Sequence, residues 1–120
     1  MLLHSAAMVL YHWARCSTCR QARQRLSERS LQVEERDLFA NPLTESELED
    51  LAQSAGGLNV LASTASPAFR ARGRSLDGWN DRELRSAMLQ DPRLLKRPIL
   101  RRDDGTLLVG LPAITRGVAG

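Results

Sequence analysis

Two rhythms of apolar positions run along this chain, and together they predict an α/β protein. Residues 8–12, Met-Val-Leu-Tyr-His, form a short apolar run with β-branched and aromatic members, which predicts a buried strand. A helical period follows over 17–29, with Cys19, Ala22 and Leu26 on one face and Arg15, Arg20, Arg23, Arg25 and Arg29 around it. Leu31 and Val33 then alternate with polar neighbours, predicting a second strand within 31–38. Asn41-Pro42 punctuates the chain, and Thr44-Glu45-Ser46-Glu47 has the form of a capping box. The helix it opens carries Leu48, Leu51, Ala52 and Ala55 on one stripe and stops at Gly56-Gly57. Residues 58–78 sustain neither rhythm and predict short helical turns and loop. Asn80-Asp81-Arg82-Glu83 repeats the capping pattern ahead of a stripe of Leu84, Ala87 and Met88, and Asp91-Pro92 ends that helix. A third strand is predicted at 98–101 and a fourth at 107–110, joined by Asp103-Asp104-Gly105 as a hairpin turn with Asp-Gly at its centre. The last ten residues predict no more than one weak helical turn.

This order constrains the topology. A strand-helix-strand start places its two strands parallel through a right-handed crossover, and the later hairpin is antiparallel. The simplest packing is a mixed sheet of about four strands flanked by helices on both faces.

Composition narrows the class. The chain has 120 residues, 42% apolar and 26% charged, which fits one ordinary globular domain over 1–120. A chain of this length buries a core without a metal or disulfide staple. No apolar run is long enough for a transmembrane helix. Residues 1–7 lack the basic start of a signal peptide and are expected to be a disordered leader, so a cytoplasmic location is expected. The net charge is +3, with sixteen Arg and a single Lys, Lys96. Acidic residues crowd 34–50, and Arg70, Arg72 and Arg74 cluster. That distribution reads first as solvated surface and second as a binding patch, and it gives no expectation of direct nucleic-acid binding.

The chemical signal is Cys16-Ser17-Thr18-Cys19 at a strand-to-helix junction. Two intervening residues make the first helical turn, so both sulfurs can come within bonding reach. Cys16 falls at the helix N-terminus, where unpaired amides and the dipole favour a thiolate. It is the expected exposed nucleophile, with Cys19, one turn in, as the resolving thiol. Arg15 and Arg20 add positive charge, and Ser17 and Thr18 supply polar groups in the same turn. Two other readings stay open at this point: half a zinc site, for which only His4 and His12 could complete the ligands, and a pair of incidental core cysteines. No cofactor and no metal is expected. A second signal is Lys96-Arg97-Pro98-Ile99. A Pro at a strand start is often an edge device. In a thioredoxin-like arrangement it is a cis-Pro facing the cysteine turn, with Arg97 placed to stabilise a thiolate or an oxyanion.

Taken together, four stretches resemble the arsenate reductase ArsC family in its broad sense, which includes Spx-type regulators. They are Tyr11 to Arg20; Glu35-Arg36-Asp37-Leu38-Phe39-Ala40-Asn41-Pro42-Leu43-Thr44; Asp91 to Ile99; and Leu107 to Gly110. The resemblance spans nearly the whole chain. It implies a thioredoxin-like fold with an inserted helical segment, here about 40–91. It implies that Cys16 is the nucleophile and Arg97 an oxyanion-binding arginine. Two further family arginines are not retained: Ala65 stands where one is expected, and none is evident around Gly110-Leu111-Pro112. Dedicated arsenate reductases of this type use one cysteine with glutathione, whereas the second cysteine here resembles the Spx side, where the pair is a redox switch. The resemblance therefore implies a glutathione- or thioredoxin-type reductant, or docking on the RNA polymerase alpha subunit through the region of Ser66 to Arg70.

Overall fold

In the computed structural model, which describes residues 8–119, the chain runs β1 (Met8–His12), α1 (Ser17–Glu28), β2 (Val33–Asp37), α2 (Glu45–Ala55), α3 (Pro67–Arg70), α4 (Asp81–Gln90), β3 (Ile99–Arg101), β4 (Leu107–Val109) and α5 (Leu111–Gly117). The leader expected over residues 1–7 lies outside the described residues. The chain groups into two units, one of residues up to Asn41 with those from Arg97 onward, the other Pro42–Lys96. No helix among the described residues is long and apolar enough to cross a membrane.

The first unit holds one sheet in the order β2-β1-β3-β4. β1 pairs parallel with β2 and antiparallel with β3, and β3 pairs antiparallel with β4. Leu10 stands opposite Leu100, which stands opposite Leu108, so these three share a face. Ala22 and Leu26 of α1 and Ile114 of α5 pack onto that face. Leu10, Ala22, Leu100 and Ile114 are fully excluded from solvent. The apolar stripe of α1 explains its burial, and the arginines between the stripe positions explain its wet side.

Three expectations of this unit need correction. The second strand does not begin near Leu31. Helix α1 ends in a Schellman turn, in which the Leu31 amide donates to the Leu26 carbonyl at 3.1 Å and the Ser30 amide to the Ser27 carbonyl at 2.9 Å. Leu31 is thereby held by the helix end, and pairing starts at Val33. The hairpin turn spans Asp103-Asp104-Gly105 as expected, but the Asp-Gly pair is not at its centre. Arg102 and Thr106 close it at 2.8 Å, and only Gly105 of its three loop residues has positive φ, at 89°. That is a three-residue loop with glycine at the left-handed position. Finally, the chain after β4 forms a real helix rather than one weak turn. Its one fully buried residue, Ile114, belongs to the core.

The second unit is helical. The Thr44 hydroxyl accepts from the Glu47 amide at 3.1 Å, and the Glu47 carboxylate accepts from the Thr44 amide at 2.9 Å. Asn80 and Glu83 close the same box for α4, at 2.8 and 3.2 Å. Both starts are thus fixed by side chains three residues apart. Helix α2 ends at Gly56, whose φ of 94° favours glycine. α2 and α4 pack together, burying Leu48, Leu51, Leu84 and Met88. Residues 58–78 form two short 3-10 turns and α3, as their broken rhythm predicts.

Candidate active site

The cysteine turn grows out of the end of β1. The Cys16 amide donates to the Trp13 carbonyl at 3.0 Å, closing a turn over 13–16. Cys16 is extended (φ −88°, ψ 122°) and is the N-cap of α1. Its carbonyl accepts the first helical bond, from the Arg20 amide at 3.1 Å. One turn on, Cys19 projects into the interior and is fully buried, while Cys16 is half-buried; both are free thiols. The Trp13 amide donates to the Cys19 sulfur at 3.5 Å, and the Thr18 hydroxyl lies 3.0 Å from the Cys16 sulfur.

These surroundings separate the two thiols. Partial burial alone raises the Cys16 pKa. Hydrogen bonding with Thr18, with the Cys19 thiol and with the Cys19 amide, together with the Arg97 charge, outweighs it and holds Cys16 below an ordinary thiol. The Cys16 sulfur closes no side-chain cap of full hydrogen-bond geometry, so the Cys19 amide acts on it as a nearby dipole. Cys19 goes the other way: burial pushes it up to about 12, and the neighbouring Cys16 adds to the rise.

The Arg97–Pro98 peptide is cis. Pro98 is fully buried, and its carbonyl accepts from the Gly110 amide at 2.8 Å. Arg97 thus enters the cysteine site from the start of β3, and its charge reaches both sulfurs. Ser17 is exposed as the first residue of α1. Arg20 directs its guanidinium to the Ala14 carbonyl at 3.4 Å, on the same loop. Arg15 is exposed on the turn.

Sequence reasoning missed three site residues. Trp13 and Phe39 stack with ring centroids 4.4 Å apart, and Arg97 lies within cation–π distance of both rings. Asp37, at the end of β2, accepts from the Phe39 and Ala40 amides at 2.8 and 3.1 Å and from the Ala14 amide at 3.2 Å. It therefore ties the cysteine turn to the exit of β2. Partial burial raises the Asp37 pKa, but these three amides and the neighbouring His12 outweigh it and lower it overall. An Asp ahead of a two-residue turn is a recognisable signal; the aromatic pair joins positions far apart in sequence and leaves none. His12 is buried beside β2, its Nε2 3.7 Å from Glu35. Among the described residues, no group of three or more His, Cys, Asp or Glu is placed to hold a metal ion; His4 lies outside them.

An acidic, half-exposed thiol above a buried, non-acidic one is suited to two-step thiol–disulfide chemistry. In such chemistry the more acidic thiol of a pair reacts as thiolate and the other is held back until a mixed disulfide forms beside it.

The model of the ArsC family matches residues 11–115. The global transcriptional regulator Spx of Listeria innocua is 33% identical over 104 residues, covering 86% of this chain and 79% of that protein. Among solved structures, a possible arsenate reductase from Streptococcus mutans is 27% identical with a TM-score of 0.72, covering 88% of this chain and 92% of that one. An arsenate reductase (ArsC) related protein from Brucella melitensis is 26% identical with a TM-score of 0.71, covering 90% and 89%. The mixed four-stranded sheet with flanking helices is the thioredoxin-like arrangement these proteins share.

Proposed function

Since this chain belongs to the ArsC family of thiol-redox folds, we propose that it works through Cys16 as nucleophile and Cys19 as resolving thiol. The observation that carries this reading is the opposed setting of the two thiols in one helical turn. The Cys16 thiolate attacks one sulfur of an oxidised substrate disulfide and expels the other as a thiolate. Cys19 then gives up its proton and attacks the Cys16 sulfur. The substrate leaves with both electrons, and a Cys16–Cys19 disulfide remains. A thioredoxin-type dithiol, or two molecules of glutathione, returns the two electrons. Ser17, Thr18, Arg97 and Pro98 support the reacting sulfur, with Arg20 holding the loop.

Arsenate is the family substrate this sequence equips least. Of the arginines the resemblance expects around the oxyanion, Arg97 alone is retained. A divalent anion then has to rely on one guanidinium and on amides at the helix start, so arsenate turnover is slow. Likeness to Spx supports a second reading, in which the same disulfide sets affinity for the RNA polymerase alpha subunit rather than serving turnover.

The test is mass analysis of the chain after a mild disulfide oxidant, followed by reduction with thioredoxin or glutathione. A reversible loss of two hydrogens is expected in the parent chain. Cys19→Ser is expected to stop at a mixed disulfide on Cys16, and Cys16→Ser to react slowly. Cys19 reacting first would reverse the roles, and brisk arsenate reduction by Cys19→Ser with glutathione would make this a single-cysteine reductase. Binding of the alpha subunit that changes with oxidation would favour the regulator.

A further inference from the structure

Two aromatic side chains with no step in the thiol chemistry converge with Arg97 beside the cysteine turn. Trp13 and Phe39 stack with centroids 4.4 Å apart and planes 29° from parallel. The guanidinium carbon of Arg97 lies 5.7 Å from the Trp13 ring centre and 5.4 Å from that of Phe39. One cation therefore lies within cation–π distance of two rings from two different segments. The backbone of Trp13 is itself part of the thiol turn, accepting from Cys16 and donating to the Cys19 sulfur. Asp37 pins the platform from both sides, binding the Phe39 amide and the amide of Ala14, next to Trp13.

We propose that Trp13 and Phe39 are positioning residues: the stacked pair fixes the Arg97 guanidinium beside Cys16 and so sets the reactivity of that thiol. The proposal rests on the reading of Cys16 as nucleophile. An arginine side chain is long and has many rotamers, and left to itself it swings into water, where its field is screened. A planar, weakly hydrated guanidinium settles on aromatic faces, where the ring quadrupole attracts it. The platform thus narrows the positions that this charge can take. Arg97 is among the groups that favour the Cys16 thiolate, so its fixation has a chemical consequence.

The experiment measures the pH midpoint of Cys16 alkylation in the full chain, with thermal unfolding to confirm that each variant is folded. Trp13→Leu and Phe39→Leu are each expected to raise the midpoint by roughly half a pH unit, which slows alkylation near neutral pH roughly threefold. Trp13→Tyr keeps an aromatic face and is expected to restore most of the parent behaviour, even where Trp13→Leu folds poorly. In an Arg97→Gln background neither aromatic substitution should move the midpoint further. An acidic Cys16 in the parent with unmoved midpoints in the variants overturns this proposal alone. So do equal shifts with and without Arg97, because the rings would then act by packing. An ordinary thiol midpoint in the parent chain overturns the site reading itself, and this proposal with it.

Discussion

Cys16 and Cys19 respond to pH in opposite senses, and the balance shows in the stability of the fold. In an unfolded chain both thiols titrate near ~8.5. Cys16 is held below that in the folded state, so it releases its proton earlier when folded and adds stability as pH climbs toward ~8.5. Cys19, pushed up to about 12, keeps its proton after the unfolded chain has lost it. Above ~8.5 the native state therefore binds more protons than the unfolded state, and stability falls as pH rises. Thermal midpoints measured from about pH 7 to about pH 10 should decline in the alkaline half of that range. Cys19→Ala should flatten the decline. An unchanged slope in that variant would assign the loss to other groups.

At the level of the elements, the end of α1 carries a correctable strain. Ser30 is the one described non-glycine residue with positive φ, at 55°, and it occupies the left-handed position of the Schellman turn. A side chain there costs energy that glycine avoids, offset in part by the greater freedom glycine has when unfolded. Ser30→Gly is expected to stabilise by about 0.5 kcal/mol, read as a higher denaturant midpoint at unchanged slope. Elements were readable from sequence in proportion to how local their causes are. The boxes at Thr44 and Asn80 are closed by residues three apart, and both appear as written. The cysteine turn was readable for the same reason, since its spacing and its place before a helix lie within a few residues. By contrast, α5 has no side-chain cap, and much of its reason to form is the contact of Ile114 with distant strands and α1. The stack of Trp13 on Phe39 against Arg97 is equally non-local, so the composition of the site could not show it.

Across the whole molecule, the sheet of the first unit depends on chain segments from both ends of the sequence. β1 is flanked by β2, which follows it closely, and by β3, which arrives after the entire Pro42–Lys96 unit. Ile114, Leu100, Leu10, Ala22 and Leu26 form one buried cluster across that join. Ile114→Ala is expected to cost ~2–5 kcal/mol in denaturant unfolding, with faster alkylation of Cys19 as α1 loosens. A loss below ~1 kcal/mol would show that α5 is an ornament on the sheet rather than part of its core. The same topology sets a schedule during synthesis. Both cysteines leave the ribosome early, whereas Arg97, Pro98 and the strands behind them follow on the order of seconds later. In that interval the nascent chain carries both thiols without the Arg97 charge that favours the Cys16 thiolate. The Arg97 charge and the strand packing that help set the two thiols apart arrive only with the later part of the chain, so an unfinished chain has the cysteines without their full surroundings.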